Sequence, residues 1–132
     1  METITVSSNK KQELIDITSD VKRVVDTHNI REGVCCIYTG HATGAIMINE
    51  NHDPAVCDDI LNCLEKLIPS GKWKHDQVDN NAAAHIKASI IGPSQIIPIK
   101  NGELMLGTWQ AIMFADLDGP RQRKVIIKVI EG

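Results

Sequence analysis

Three of the chain's five histidines sit where one structural element should give way to another: His41 in TGHATG, His75 in KHDQ and His85 in AAAHIK. A neutral imidazole ligates zinc or another borderline metal, and three of them suffice when a fourth position is left to water. Spacing alone is a weak argument for such a cage, because His75 and His85 flank a loop and match no helical H-E-x-x-H pattern. The other two histidines have ordinary explanations. His28 closes a helix, where positive charge suits the C-terminal dipole, and His52 in ENHDP lies in the turn before a helix.

Glu50 ends the apolar run GAIMINE. A carboxylate there can be partly desolvated and serve acid–base chemistry or a metal, or it can turn to solvent or bond the next helix's amides. Strand alternation sets His41 and Glu50 on opposite faces of an unbroken strand, so Gly40 or Gly44 must bend the chain before they can meet. Further on, DNNAAAHIKAS offers Asn80 or Asn81 as the cap of a short helix whose free amides attract an anion, with Asp79 as a second cap or a ligand. His85 and Ser89 share a face at i,i+4, while Ala83, Ile86 and Ile90 form the apolar side. In GPRQR, Arg121 and Arg123 are two apart, suited to clamping a phosphate or carboxylate and equally suited to a solvated strand end.

The elements that must position these groups can be read from periodicity and punctuation. Residues 2–7 and 12–18 read as strands joined by the turn SSNKK, followed by a helix, SDVKRVVDTHN, with cap chemistry in Thr18, Ser19 and Asp20. GVCCIYT and GAIMINE are buried strands. Asp53 caps a clear helix with Pro54 at its first position, carries Val56, Ile60, Leu64 and Leu67 at helical spacing, and stops at Pro69-Ser70-Gly71. Residues 72–81 read as a polar loop and AAAHIKASI as a second short helix ended by Gly92-Pro93. QIIPIK and ELMLGT flank Asn101-Gly102, a strong hairpin signal, and TWQAIMFAD and RKVIIKVIE flank a turn with Asp118-Gly119-Pro120. The expectation is one α+β domain over 1–132, with a largely antiparallel or mixed sheet and two or three helices.

A chain of 132 residues, 42% hydrophobic and 23% charged, can build one core. With 3% aromatic residues and a formal charge of −3, it has neither a base-stacking surface nor a basic tract, so nucleic acid and anionic membranes are poor partners. The N-terminus lacks the apolar core of a signal peptide, and no run approaches the ~18 residues of a membrane span. The reading is a soluble, cytoplasmic protein. Its four cysteines include no C-x-x-C pair and read as reduced, mostly buried thiols.

Three blocks carry a family resemblance: GHATGAIMINENHDP, the stretch from His75 through DNNAAAHIKASIIGPS, and GELMLGTWQAIMFADLDGPRQR. Together they resemble the YjbQ family of small proteins, often described as secondary thiamine-phosphate synthase enzymes, and LGTWQ after AH-x-K-x-S-x-x-G is specific to it. One departure is Ala42-Thr43-Gly44 after His41, where members usually have Thr-Ala or Thr-Thr-Ala. The resemblance implies a compact α+β homotrimer with a site near subunit contacts. That site would hold a divalent metal through His41, His75 and His85, with Glu50 and His41 as catalytic groups. Asn80, Ser89, Thr108, Gln110, Arg121 and Arg123 lie in the matching motifs as candidates for substrate and phosphate binding, with Asp79 beside them; Trp109 reads as a packing residue. The implied activity joins a pyrimidine diphosphate to a thiazole phosphate and expels pyrophosphate. Diphosphate chemistry favours Mg with carboxylates, whereas histidines suit Zn or another transition metal, so a zinc-type hydrolase stands beside it. A non-catalytic metal- or ligand-binding trimer is the alternative outside enzymology.

Overall fold

In β1 (Glu2–Ser7), Ile4 and Val6 are buried while their neighbours are exposed, the period-two pattern of a strand with one wet face. A computed structural model describes all residues, 1–132. β1 pairs with β8 (Gln122–Glu131), β8 with β3 (Glu32–Tyr38), β3 with β5 (Ser94–Lys100), and β5 with the short β6 (Glu103–Leu104). A second sheet holds β2 (Glu13–Asp16), β7 (Gln110–Asp116) and β4 (Gly44–Glu50), with β7 in the middle. Every pairing is antiparallel.

The two sheets and α1 (Thr18–His28) share one core. Ile4, Val125, Ile37 and Ile97 come from the larger sheet, Ile46, Ile112 and Phe114 from the smaller, and Val21, Val24 and Val25 from the helix. β7 is buried from Ala111 to Asp116, on both faces. Behind it, α3 (Ala82–Ile91) packs on β4 and closes Ala84 and Ala88 over Leu117. α2 (Pro54–Leu67) contributes Cys57, whose Sγ lies 3.8 Å from the Met113 sulfur, but has no fully buried residue. The order is five-stranded sheet, then the three-stranded sheet with α1 beside it, then α3.

Two of the expected hairpins do not form. β1 and β2 lie in different sheets, as do β7 and β8, so residues 8–12 and 117–121 cross between sheets rather than fold back. The crossings run side by side and are laced together. The Ser8 amide donates to the Arg121 carbonyl (3.1 Å), the Gly119 amide to the Lys11 carbonyl (2.9 Å), and Lys11 pairs with Asp118. A Cβ on Gly119 would stand 2.3 Å from the Lys10 carbonyl oxygen, so this approach needs glycine. The Asn101-Gly102 hairpin does form, with φ of 53° and 79° as a type I′ turn requires.

Helix starts were half legible. Asp53 caps α2 as expected, accepting from the Ala55 amide at 2.9 Å. Elsewhere the cap comes from upstream. Asp16 accepts from the Thr18 amide at 2.8 Å, which ends β2 before Thr18 and starts α1 there. For α3, Asn81 holds the N-cap position, but its side chain makes no cap bond; Asp76 in a 3-10 turn (Lys74–Gln77) accepts from the Ala82 amide (3.0 Å) and the Trp73 amide (3.0 Å) in its place. The buried side of α3 is Ala84, Lys87 and Ala88, with Ala82 and Ala83; Ile90 is 65% exposed and is not part of it.

All four cysteines are free. Burial, with Cys36 alongside, pushes the Cys35 thiol up to about 11, whereas Cys63 is exposed. Since the thiolate is the reactive form, native protein at neutral pH should lose Cys63 to a maleimide first and Cys35 only after unfolding. Mass spectrometry of the labelled peptides checks this; early labelling of Cys35 would contradict the packing of β3.

Candidate functional site

His41 lies in the turn after β3. Thr39, almost fully buried, donates from its hydroxyl to the Lys124 carbonyl (3.1 Å) and accepts from the His41 amide (3.3 Å). The Lys124 amide in turn donates to His41 Nε2 at 3.0 Å. Burial, and then the Arg123 charge beside it, hold the imidazole below its usual pKa, Asp116 opposing and Arg121 adding to the effect. His41 is thus a neutral, anchored ring.

His75 and His85 do come together. The 3-10 turn and the first turn of α3 set their rings 5.0 Å apart, edge to face. They open, with Trp73, Ala82 and Ile86, on a surface cavity of ≈330 Å³. His75 Nε2 is 3.6 Å from Asp79 Oδ2, too long for a hydrogen bond but close to the edge of a tetrahedral site with ligand bonds of 2.1 Å, about 3.4 Å. No three His, Cys, Asp or Glu side chains gather closely enough in the chain to hold a metal. The three-histidine cage expected from the sequence does not form within one chain, and His41 stands outside the pair because its own anchor is on β8.

Glu50 is at the other end of β4 from the His41 turn. The strand runs from Gly44 to Glu50, about 20 Å at ~3.3 Å per residue. Gly44 does not bend the chain to shorten it: it is the first residue of the strand, and packing requires glycine there, since a Cβ would stand 2.5 Å from Phe114 Cζ. Glu50 is instead beside Gln110 in register, whose Oε1 accepts from the Gly107 amide at 2.8 Å. Near this end Trp109 is 60% exposed, and its ring is 5.3 Å from that of His52. Trp109 is therefore a surface ring, not a core one, and Thr108 is exposed beside it.

The arginine clamp is also reassigned. Arg123, on the inner face of β8, is 1% exposed and binds the fully buried Asp116 through two bonds, Nε to Oδ2 at 3.0 Å and Nη2 to Oδ1 at 2.7 Å. The same Nη2 reaches Thr43 Oγ1 at 3.0 Å. It ties one sheet to the other and is not free for a ligand. Arg121 lies outside the strand, half-exposed, and donates to Asp118 Oδ2 at 3.1 Å. Burial would raise the Asp116 and Asp118 carboxyls, but Arg123 on the first and Lys11 and Asn81 on the second hold both below the usual carboxylate range. Asn80 is exposed at φ 54°, and Ser89 donates to the His85 carbonyl at 2.8 Å.

Sequence reasoning passed over Lys87, Asp76, Asp116 and Asp118. Lys87 is 1% exposed, with Nζ 2.6 Å from Glu65 Oε2 on α2 and 3.2 Å from Gln12 Oε1. The signal available was a lone lysine on the alanine face of AAAHIKAS. For Asp116 and Asp118 it was D-L-D directly after an apolar run.

The sequence profile of the family described as UPF0047 protein YjbQ-like matches residues 2–132. The chain belongs to that family. A UPF0047 protein of Archaeoglobus fulgidus is 46% identical over 128 residues, covering 96% of this chain and 98% of its own. UPF0047 protein YugU of Bacillus subtilis is 40% identical, with 98% of each chain covered. Among solved structures, an uncharacterized conserved protein of the YjbQ/UPF0047 family from Clostridium acetobutylicum superposes with a TM-score of 0.95 at 46% identity, over 98% of this chain and 100% of that one. A protein of unknown function from Sulfolobus solfataricus gives 0.95 at 38% identity, over 99% and 96%. The fold of the UPF0047 family is therefore the fold of this chain, and its relatives carry no activity in their names.

Proposed function

We propose that this UPF0047 protein is a metal-dependent enzyme acting on a phosphorylated small molecule, with thiamine-phosphate formation as the activity to test. The observation that carries the reading is the His75–His85 pair at the mouth of the ≈330 Å³ cavity, with Asp79 Oδ2 3.6 Å from His75 Nε2. Two imidazoles favour zinc or another transition metal over magnesium. Such a cation, when bound, supplies charge neutralisation for a diphosphate leaving group.

A half-site calls for its other half. His41 and Glu50 lie at opposite ends of β4, so a site containing all four residues draws them from different copies of the chain, as the homotrimer of the family resemblance would allow. The outer face of the larger sheet supports assembly: Tyr38 is 43% exposed, Ile96 65% and Ile130 47%, on adjacent strands. Apolar area of that kind is usually covered in solution. In this reading Glu50 moves a proton, and Arg121 and the exposed Asn80 help bind the phosphorylated substrate. The same separation of Glu50 from the histidines favours a second reading, a metal-binding trimer without catalysis.

Elemental analysis of the purified protein should find a stoichiometric transition metal, lost on His85→Ala with the oligomer intact. Unchanged metal content in that variant sinks the metal reading. With metal retained, Glu50→Ala should abolish formation of thiamine phosphate from the two phosphorylated halves; full activity in the variant returns the protein to the non-catalytic reading.

A further inference from the structure

β3 leaves the ladder at Tyr38, opposite Ile126 on β8. Continuing that register would set the backbone of Gly40 opposite Lys124. Two side chains occupy those places instead: Thr39 Oγ1 donates to the Lys124 carbonyl, and His41 Nε2 accepts from the Lys124 amide. A backbone N–H can only donate, so Nε2 must present its lone pair, and the proton of the neutral ring is on Nδ1. Protonating Nε2 would set N–H against N–H and break the ladder's last bond. Nδ1 has no partner in the chain and is open to solvent.

From this geometry we infer that His41 is a fixed hydrogen-bond donor, presenting Nδ1–H to an oxyanion oxygen of a ligand rather than a lone pair to a metal. A metal needs an unprotonated nitrogen, and the only one on this ring faces a backbone amide. An anionic oxygen is the natural acceptor, because Arg121, 52% exposed, is close enough to act electrostatically on the same ring. The chemistry is that of a phosphoryl or carboxylate group held by a neutral imidazole, which donates without bringing a charge of its own. The role is independent of any metal at His75 and His85.

Long-range proton–nitrogen NMR on the full-length protein, labelled with ¹⁵N-histidine, separates the two. At neutral pH His41 should show Nδ1 protonated and Nε2 bare. Added zinc should move His75 and His85 and leave the His41 tautomer unchanged, while added inorganic phosphate should shift His41 Nδ1–H and acetate should test the carboxylate. An Nε2–H tautomer, loss of the Nδ1 proton on adding zinc, or indifference of His41 to both anions would each overturn the inference. Silence of His75 and His85 towards zinc would instead count against the metal proposal, so the two failures read differently in one spectrum.

Discussion

Arg123→Ala should destabilise the protein by about 3–5 kcal/mol, the range for breaking a buried ion pair by removing one partner. Asp116 is fully buried, and without the guanidinium its carboxylate is left in the core with only the Asp118 amide, at 3.0 Å, as donor. Thr43 Oγ1 and the Asp118 carbonyl lose a donor as well. The pair also links the sheets, since Arg123 is on β8 and Asp116 on β7. Urea unfolding at neutral pH measures the loss, and a change below about 1 kcal/mol would mean the pair is solvated. Arg123→Met with Asp116→Ala should recover most of it, because apolar replacement of both partners is often neutral.

The same variant has a pH signature of definite sign. In the native protein the Asp116 and Asp118 carboxyls lie below their usual value. Their contribution to stability is therefore complete above about pH 4, the unfolded value for aspartate, and is lost as pH falls through the lower folded values. In Arg123→Ala the unpaired, buried Asp116 is pushed the other way, above the unfolded value. That penalty is absent below about pH 4 and grows as pH rises. The stability gap between native protein and variant should accordingly be widest at neutral pH and narrow on acidification. A constant gap would place the effect in packing rather than charge.

Much of the fold was legible because local chemistry specified it. Asp53-Pro54 starts α2, Asn101-Gly102 makes a type I′ turn, and alternation in β1 and β8 marks the inner face. The sheet-switching connections were not legible, because a short polar loop between two strands looks the same whether it returns to its own sheet or crosses to another. Only the lacing of residues 8–12 with 117–121 decides it, and that is a contact across most of the chain. The site divides on the same line. His75 and His85 meet through one turn and one helix, whereas His41 and Glu50 are fixed by what their strands pair with. Arg121 and Arg123 looked alike in sequence, two apart in one motif. β8 begins at Gln122, and that boundary leaves one outside the strand and drives the other into the core beside Asp116.

Phe114→Ala should cost about 3–5 kcal/mol, as for a large buried aromatic whose space cannot collapse, and its partner variant tests why Gly44 is a glycine. The ring is fully buried between the sheets, and a Cβ on Gly44 would meet its Cζ at 2.5 Å, Cε2 at 3.2 Å and Cε1 at 3.3 Å. A ring edge this close cannot yield without moving a close-packed core, so Gly44→Ala alone should lose about 1–3 kcal/mol by overpacking. Adding Phe114→Leu to Gly44→Ala frees the space the methyl needs, and the double variant should lose less than the sum of the two single losses by at least ~0.5 kcal/mol, the scale of coupling between residues in contact. Strict additivity would show that the ring and the glycine do not constrain each other. The effect should also reach the candidate site. The Gly44 amide donates to the His41 carbonyl at 3.2 Å, so displacing Gly44 pulls on the turn that sets His41 Nε2 against the Lys124 amide. In Gly44→Ala, exchange of the Lys124 amide with solvent should therefore accelerate, and Phe114→Leu should slow it again. Protection unchanged across the three variants would mean that the turn is held by Thr39 alone.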